Sequence, residues 1–240
     1  MTSLSALSVQ HLSKTYQKQA VLSGLSFEVQ AGEIFGLVGE NGAGKTSLFK
    51  CLLDFCDVDA GEIRIFGVDH RSSHSRLHLN FLPERFSPPY FLTGREFLQY
   101  VLRLNDTPYQ AQEIEQGMCE LDLHMDALSR SVRNYSKGMT QKLGLLSCFL
   151  LRKKLYIFDE PMSGLDPKAR AMLKQKLCSV REAGGSVMFS SHALADIDEI
   201  CDRMAILHRG ELKFVGTPAA CREQFNTTSL EQAYLRCILE

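Results

Sequence analysis

The segment from Gly39 to Thr46 constrains the fold of this chain more than any other. It reads Gly-Glu-Asn-Gly-Ala-Gly-Lys-Thr, which matches the pattern G-x-x-x-x-G-K-[ST]. The apolar run 34–38 precedes it, and a helical pattern of apolar residues over 48–53 follows it. Glycines let successive backbone N–H groups curl around an anion, and the N-terminus of the next helix adds its positive dipole end. The segment therefore predicts a phosphate-binding loop between a buried strand and a helix.

Two hydrophobic patterns predict the sheets. In 25–30 and 62–65 apolar and polar residues alternate, which is the period of half-buried strands and indicates an antiparallel part near the N-terminus. The continuous apolar runs 34–38, 155–158 and 187–189 are typical of strands buried on both faces of a parallel sheet. We expect an α/β fold with a mixed sheet at its core.

Helical patterns fill the region between these strands. Thr93 and Glu96 have capping-box spacing, and Ile114, Met118 and Leu121 repeat at helical spacing. After the last apolar run, 205–215 reads as a hairpin that turns at Arg209-Gly210. Pro218 then opens a helical stretch that we expect to continue to Glu240. No repeat or linker divides the sequence into independent domains.

Composition narrows the class of protein. The 240 residues carry a formal net charge of −1, so direct binding to nucleic acid is disfavoured. The eight cysteines include no C-x-x-C pair, which favours buried free thiols in a reducing compartment. The richest apolar segment, 143–151, is far shorter than a bilayer span, and the N-terminus lacks the pattern of a signal peptide. We expect a chain that neither crosses a membrane nor is secreted.

An acidic pair completes the predicted phosphate site. Asp159 and Glu160 follow the apolar run 155–158, at the strand end where α/β sheets bind ligands. We expect Lys45 to reach the β- and γ-phosphates of a nucleotide and Thr46 to ligate Mg²⁺ together with Asp159. Ser47 is placed to donate to the α-phosphate. Glu160 would orient or deprotonate the attacking water.

Further motifs follow in the order typical of one family. Ser136 and Gly138 lie in Tyr135-Ser136-Lys137-Gly138-Met139, ahead of an apolar helical run, and Ser136 reads as a helix N-cap. The loop Ser163-Gly164-Leu165-Asp166-Pro167 and the strand end Ser190-Ser191-His192 come next. With the phosphate loop and the acidic pair, these motifs resemble the ATP-binding subunit of ABC transporters, and the resemblance covers Ser8 to Glu240.

This resemblance implies a fold and a set of site residues. The fold would be a single P-loop ABC ATPase domain over 1–240, with a catalytic core at 1–83 and 152–240 and a helical subdomain at 84–151. The catalytic residues would be Lys45, Glu160 and His192, and Mg²⁺ would be held by Thr46, Asp159 and Glu84. The residues expected to contact ATP are Tyr16, Gly39, Glu40, Asn41, Gly42, Ala43, Gly44, Lys45, Thr46, Ser47, Ser136, Gly138 and Asp166.

Three of these roles come from the resemblance alone. Tyr16 would stack on adenine, Ser136 would face the γ-phosphate bound by a second copy, and His192 would contact the γ-phosphate. An isolated aromatic residue is more often part of a core, and an isolated histidine at a strand end is more often a capping residue. We expect the other six histidines to lie on the surface.

Two departures from the family pattern point to a branch. Glu84 stands where most members have glutamine, and the motif that begins at Tyr135 has Lys137 and Met139 where glycine and glutamine are usual. These variants, with the closing segment 229–235, resemble bacterial exporter ATPases. The resemblance then implies a second ABC subunit, most simply in a homodimer, and a multi-span membrane permease. The chain would lie in the cytoplasm, on the inner face of the cell membrane.

Two other functions fit the same motifs. A soluble ABC ATPase could act on nucleic acid or ribosomes, but such proteins usually carry two nucleotide domains or long inserted arms, and this sequence has neither. A regulatory ATP-binding module would switch partners without productive turnover. The intact Lys45, Asp159, Glu160 and His192 argue against that module, whereas Glu84 and Lys137 leave room for it.

Overall fold

A computed structural model describes residues 5–239. Ten strands, β1 to β10, occur in the described chain. Their bounds are Ser5–Tyr16, Gln19–Gln30, Ile34–Val38, Ala60–Ile65, Val68–Asp69, Leu79–Leu82, Leu155–Phe158, Ser186–Ser191, Arg203–His208 and Glu211–Gly216. Nine α-helices, α1 to α9, lie in the same range. Their bounds are Lys45–Leu52, Ser73–Arg76, Gly94–Leu104, Ala111–Glu120, Lys137–Leu150, Pro167–Glu182, Leu194–Ile200, Pro218–Gln224 and Leu230–Leu239.

The larger sheet has six strands in the order β10-β9-β3-β8-β7-β6. All neighbours are parallel except β9 and β10, which form a hairpin. Every residue of β3, β7 and β8 is buried, because helices cover one face of this sheet and the second sheet covers part of the other. The mixed central sheet predicted from the continuous apolar runs is confirmed.

The smaller sheet is antiparallel and has the order β2-β1-β4-β5. Leu25, Phe27 and Val29 of β2 are buried and alternate with exposed residues, as the sequence predicts. The ring of Phe27 stacks on that of Phe35 in β3 with the centroids 5.6 Å apart. This contact belongs to a hydrophobic cluster that joins the two sheets and buries one side of α1.

Helices occupy most of the chain between β6 and β7. The capping box at the start of α3 is confirmed, because Thr93 Oγ1 accepts from the N–H of Glu96 and Glu96 Oε2 accepts from the N–H of Thr93. Ile114, Met118 and Leu121 are buried on and just after α4. From Gln141 onward, α5 is buried on all sides.

The β9–β10 hairpin is confirmed and lies against the glycine loop. Arg209 and Gly210 both have positive φ, 49° and 78°, which matches a two-residue hairpin turn. The N–H of Gly210 donates to the carbonyl of Ala43 over 3.0 Å, and the carbonyl of Gly210 accepts from the N–H of Ser23. The turn therefore fixes the glycine loop against strand β2.

Three expectations need correction. The helical stretch after Pro218 is two helices, α8 and α9. Asn226 adopts φ 50° and ends the first, and the Ser229 hydroxyl accepts from the N–H of Gln232 at the start of the second. Glu240, to which the helical stretch was expected to continue, lies outside the described residues. His70 is buried, since its backbone and Nδ1 both contact the carbonyl of Ile63. Cys119 is exposed rather than buried. None of the helices within 5–239 is long and apolar enough to span a membrane.

Candidate functional site

The glycine loop joins β3 to α1 at the carboxyl end of the larger sheet. Gly42 and Gly44 have φ of 85° and 112°, in the region that favours glycine. A Cβ on Gly44 would lie 2.8 Å from Leu22 Cδ2 and 3.0 Å from the carbonyl of Val21. Only glycine therefore lets the loop pack this closely against β2 while its N–H groups turn toward the start of α1.

Lys45, the first residue of α1, folds back over the loop. Its side chain is buried, and Nζ donates to the carbonyl oxygens of Gly39 over 2.5 Å and Glu40 over 3.2 Å. Nζ also lies 3.9 Å from Oε1 of Glu160. The ammonium group is thus held between the loop and the acidic strand end, as a residue that binds phosphate there must be.

Asp159 is the centre of a buried hydrogen-bond network. Its Oδ2 accepts from the hydroxyl of Thr46 over 3.2 Å, and its Oδ1 accepts from the hydroxyl of Ser190 over 2.6 Å. The backbone N–H of Asp159 donates to the carbonyl of Leu82 in β6. Strands β6, β7 and β8 and helix α1 thereby fix one carboxylate. Thr46 and Asp159 present hard oxygen atoms side by side, which suits Mg²⁺.

Glu160 is strained and incompletely partnered. Its φ is 50°, in the left-handed region that is costly for a residue with a Cβ, and its N–H donates to the Ser190 hydroxyl over 2.8 Å. Oε2 accepts from Nδ1 of His192 over 2.9 Å. Within the described chain, the buried Oε1 has no hydrogen-bond partner. A buried carboxylate oxygen without a donor is the group that a bound water or ligand would complete.

These groups surround a cavity of about 390 Å³. The predicted site residues that line it are Glu40, Asn41, Gly42, Gly44, Lys45, Thr46, Ser47, Glu84, Asp159, Glu160 and His192. Val21 and Ser163 also line it, and neither had a predicted role in binding. The predicted site residues outside this lining are Tyr16, Gly39, Ala43, Ser136, Gly138 and Asp166.

The residues around Ser136 form a second cluster. Ser136 is the N-cap of α5, as predicted, since its hydroxyl accepts from the N–H of Met139 over 3.2 Å. Lys137 Nζ donates to the hydroxyl of Ser163 over 2.9 Å, and a Cβ on Gly138 would lie 2.9 Å from the carbonyl of Gly164. The loop at Ser163 and Gly164 therefore connects the start of α5 to the cavity.

Asp166 and Tyr16 lie at the edges of this arrangement. Asp166 is the N-cap of α6. Its carboxylate accepts from the N–H of Ala169, and this hydrogen bond holds the pKa of Asp166 below its usual range. Tyr16 ends β1 and is 40% exposed. Lys14 Nζ lies 5.1 Å from the centre of its ring. Part of the Tyr16 ring is therefore accessible to a planar ligand.

Ser190 is a residue of the site that the sequence reasoning missed. It is fully buried and bridges the side chain of Asp159 and the backbone of Glu160. A serine at the end of a buried parallel strand was the available signal, because a hydroxyl there needs partners. Its pairing with two acidic neighbours depends on the order β7–β8 in the sheet.

We predict that Ser190→Ala lowers the free energy of unfolding by about 1–3 kcal/mol, because it leaves the N–H of Glu160 without an acceptor. ATP turnover should fall about tenfold or more, since Asp159 loses a partner that orients it. Ser186→Ala is the matched control: Ser186 is buried in the same strand and accepts from the N–H of Gly32, far along β8 from the cavity. Urea unfolding and phosphate release measure both variants. Equal turnover in the two variants would contradict the positioning role.

Comparison with known proteins agrees with this geometry. The family model for ABC transporters matches residues 22–163, which is more than half of the chain and includes the glycine loop and the acidic pair. The chain belongs to the ABC transporter family, as one of its ATP-binding proteins. The ATP-binding domains of this family are ATPases, so ATP is the nucleotide and its hydrolysis is the chemistry of this domain.

Three relatives illustrate the range of the family. An uncharacterised ABC transporter ATP-binding protein of Synechocystis sp. is 39% identical over 85% of this chain, and the match spans only 58% of that relative. The ABC-type transporter ATP-binding protein EcsA of Bacillus subtilis is 32% identical over 99% of this chain and 98% of its own length. The Nod factor export ATP-binding protein I of Burkholderia thailandensis is 30% identical over 90% of this chain and 72% of its own.

A solved structure extends the likeness to the whole ABC domain. The structure of an ATP-binding subunit of an ABC transporter superimposes with a TM-score of 0.88 at 32% identity. The match covers 97% of this chain and 99% of that one. The fold predicted from the motifs, an ABC ATPase with an antiparallel sheet and a mixed sheet, is thereby confirmed.

Proposed function

We propose that two copies of this chain bind two Mg-ATP between them, and that hydrolysis drives export of a substrate through a separate transmembrane permease. One observation carries the two-copy arrangement. Most predicted nucleotide contacts line one cavity, whereas Ser136 and Gly138 lie outside its lining, at the exposed start of α5. Ser136 and Gly138 therefore have no nucleotide within the same chain to contact.

The start of α5 is suited to an anion supplied by another molecule. The helix has 14 residues, so its N-terminus carries an appreciable positive dipole end, and Ser136 and Lys137 are exposed there. Lys137 adds a full positive charge beside the first turn. A second copy packed head to tail would bring its ATP to this position and complete both sites.

Within one copy, the cavity residues divide the chemistry. Lys45 would neutralise charge on the β- and γ-phosphates, and Thr46, Asp159 and Glu84 would hold Mg²⁺, which supplies further charge neutralisation and orientation of the phosphates. Oε1 of Glu160, which has no hydrogen-bond partner among the described residues, would accept a proton from the attacking water. Nδ1 of His192 contacts Oε2 of the same carboxylate, so Glu160 orients the imidazole ring and the Nε2 edge that would face the γ-phosphate.

The two departures from the family pattern bear on the same charge balance. Glu84 is exposed at the edge of the cavity, where it adds a negative charge that should make binding of the γ-phosphate more dependent on Mg²⁺. Lys137 contributes a positive charge that faces the nucleotide of the other copy in the proposed dimer. In the proposed dimer, the positive charge of Lys137 offsets the negative charge of Glu84 across the interface.

A surface on the helical part is proposed to contact the permease. We place a helical subdomain at 84–151 within one nucleotide-binding domain of 1–240. In the loop before α3, Tyr90 and Phe91 are 67% and 70% exposed, whereas Phe86 turns inward and packs edge-on against Phe97 at 5.7 Å between centroids. Two large adjacent aromatic side chains that are exposed to water are typical of a surface that binds another protein.

The export role of the Burkholderia relative supports export as the direction of transport. The permease would hold this chain at the inner face of the cell membrane.

We predict that replacing Tyr90 and Phe91 together by alanine weakens binding to the permease at least about tenfold, because interface aromatics account for much of the binding energy. Permease-stimulated ATP turnover should fall with it, whereas basal turnover of the isolated chain should stay unchanged, since neither residue lines the cavity. The control is Leu77→Ala, which removes an apolar side chain that is 58% exposed outside the helical part. Normal stimulation of the double variant would contradict the docking surface.

A further inference from the structure

Two cysteines meet at the end of helix α1. Cys51 is the penultimate residue of the helix and is fully buried, and Cys56 lies in the following turn, half-buried. The chain folds back because Asp54 adopts φ 59° and the N–H of Phe55 donates to the carbonyl of Lys50 over 2.8 Å. The two Sγ atoms come to 3.6 Å from each other. This turn brings together two thiols that lie five residues apart in the sequence.

The thiol pair is joined to the predicted adenine-stacking residue. The hydroxyl of Tyr16 donates to Sγ of Cys56 over 3.5 Å. Lys14 lies over the same ring and forms an ion pair with Asp59 at 3.3 Å, and the carboxylate of Asp59 also accepts from the N–H of Thr15. Cys56 therefore contacts the hydroxyl at the tip of Tyr16, beside the Ser47 side chain, and Lys14 braces the ring from one side.

The two thiols differ in reactivity. Burial raises the pKa of Cys51 to about 12, and its hydrogen bond with Cys56 adds to the rise, so Cys51 is protonated at neutral pH. Cys56 reaches solvent and is the thiol that an external reagent meets first. Reaction at Cys56 would remove the hydrogen bond that contributes to the high pKa of Cys51, which makes the second thiol easier to ionise.

We propose that Cys51 and Cys56 form a reversible disulfide by exchange with a low-molecular-weight disulfide, and that this bond weakens ATP binding through Tyr16. In the first step the Cys56 thiolate attacks the reagent RSSR, forms a mixed disulfide and releases RS⁻. In the second, the Cys51 thiolate attacks Sγ of Cys56 and releases a second RS⁻. The protons of both cysteines end on the two released thiols. Two electrons pass from the cysteines to RSSR.

The bond would act on Tyr16 by moving its partner. The two sulfur atoms must approach from 3.6 Å to about 2.05 Å, and the buried Cys51 inside α1 has less freedom to move than Cys56. Sγ of Cys56 is therefore drawn toward the helix and away from the Tyr16 hydroxyl. The loss of this hydrogen bond removes one of the contacts that hold the ring in the position in which it would stack on adenine. This consequence rests on the proposed role of Tyr16.

The experiment treats the full chain with glutathione disulfide and then with dithiothreitol. Peptide mass spectrometry detects the Cys51–Cys56 bond directly, and calorimetry measures the Kd for Mg-ATP in each state. We expect the bond to form and to be reversed, and the oxidised chain to bind ATP about three- to tenfold more weakly, the effect of one lost hydrogen bond. Cys56→Ser should abolish this response. Cys119→Ser removes the exposed cysteine on α4 and should respond as the natural chain does.

Two results would overturn the inference. One is the absence of a Cys51–Cys56 bond under oxidising conditions that label Cys119. The other is a bond that forms without change in the Kd. Failure of the stacking role is a separate result, because it would appear as an unchanged Kd in Tyr16→Ala under reducing conditions. A response to oxidant that persists in Cys56→Ser also contradicts the proposal, since it must then arise from another thiol.

Discussion

Replacement of Glu160 by glutamine is expected to lower steady-state ATP turnover by about a hundred- to ten-thousandfold, which is the range for loss of a general base. The amide oxygen can still accept from Nδ1 of His192, so the variant keeps the local contacts. The amide group of the variant cannot take a proton from water at the position of Oε1, the carboxylate oxygen that has no hydrogen-bond partner in the described part of the chain. ATP that binds is therefore not consumed, and light scattering with Mg-ATP should show the molar mass of two chains.

The matched control for this variant is Glu182→Gln, which neutralises an exposed glutamate at the end of α6. It should turn over ATP at the rate of the natural chain and should show no persistent dimer. Phosphate release under saturating Mg-ATP measures both. If Glu160→Gln retained more than about half of the natural rate, the assignment of Glu160 as the base would be wrong.

Replacement of Lys45 by alanine should weaken ATP binding by about a hundredfold or more, because two charge-assisted contacts to phosphate are lost together. The loss is large for a second reason. Without the ammonium group, the carboxylates of Asp159 and Glu160 remain buried at the same strand end and repel the triphosphate. Calorimetry with Mg-ATP gives the two dissociation constants.

Lys50→Ala is the control for Lys45→Ala, since Lys50 lies on the same helix but is exposed and outside the cavity lining. Its Kd should equal that of the natural chain. Circular dichroism shows whether Lys45→Ala keeps its helical content. If it does, a weaker Kd reports loss of binding and not loss of folding. A Kd for Lys45→Ala within about threefold of the natural value would show that Lys45 does not bind the phosphates.

Much of the fold followed from local patterns. The loop at Gly39–Thr46, the buried runs and the capping box at Thr93 each specify a structure through rules that involve only neighbouring residues. The hairpin at Arg209-Gly210 is of the same kind. These features determined the α/β class, the position of the phosphate loop and the acidic pair at the end of β7.

The features that were missed depend on contacts between distant segments. Ser190 meets Asp159 only because β8 lies beside β7, and Phe86 turns inward because Gly144 of α5 leaves room for its ring. His70 is buried because the short strand β5 returns along β4. No local pattern encodes these approaches. The division between Phe86 and its exposed neighbours Tyr90 and Phe91 likewise required the packed structure.

Recovery of tagged Glu160→Gln from detergent-solubilised native membranes with Mg-ATP is the decisive test of whether this ATPase drives a permease. We expect one multi-span membrane protein to co-purify in stoichiometric amount, and to be lost when Tyr90 and Phe91 are also replaced by alanine. Recovery of soluble proteins or nucleic acid alone, from membranes in which the chain is expressed with its natural partners, would contradict the proposal that this ATPase drives a permease.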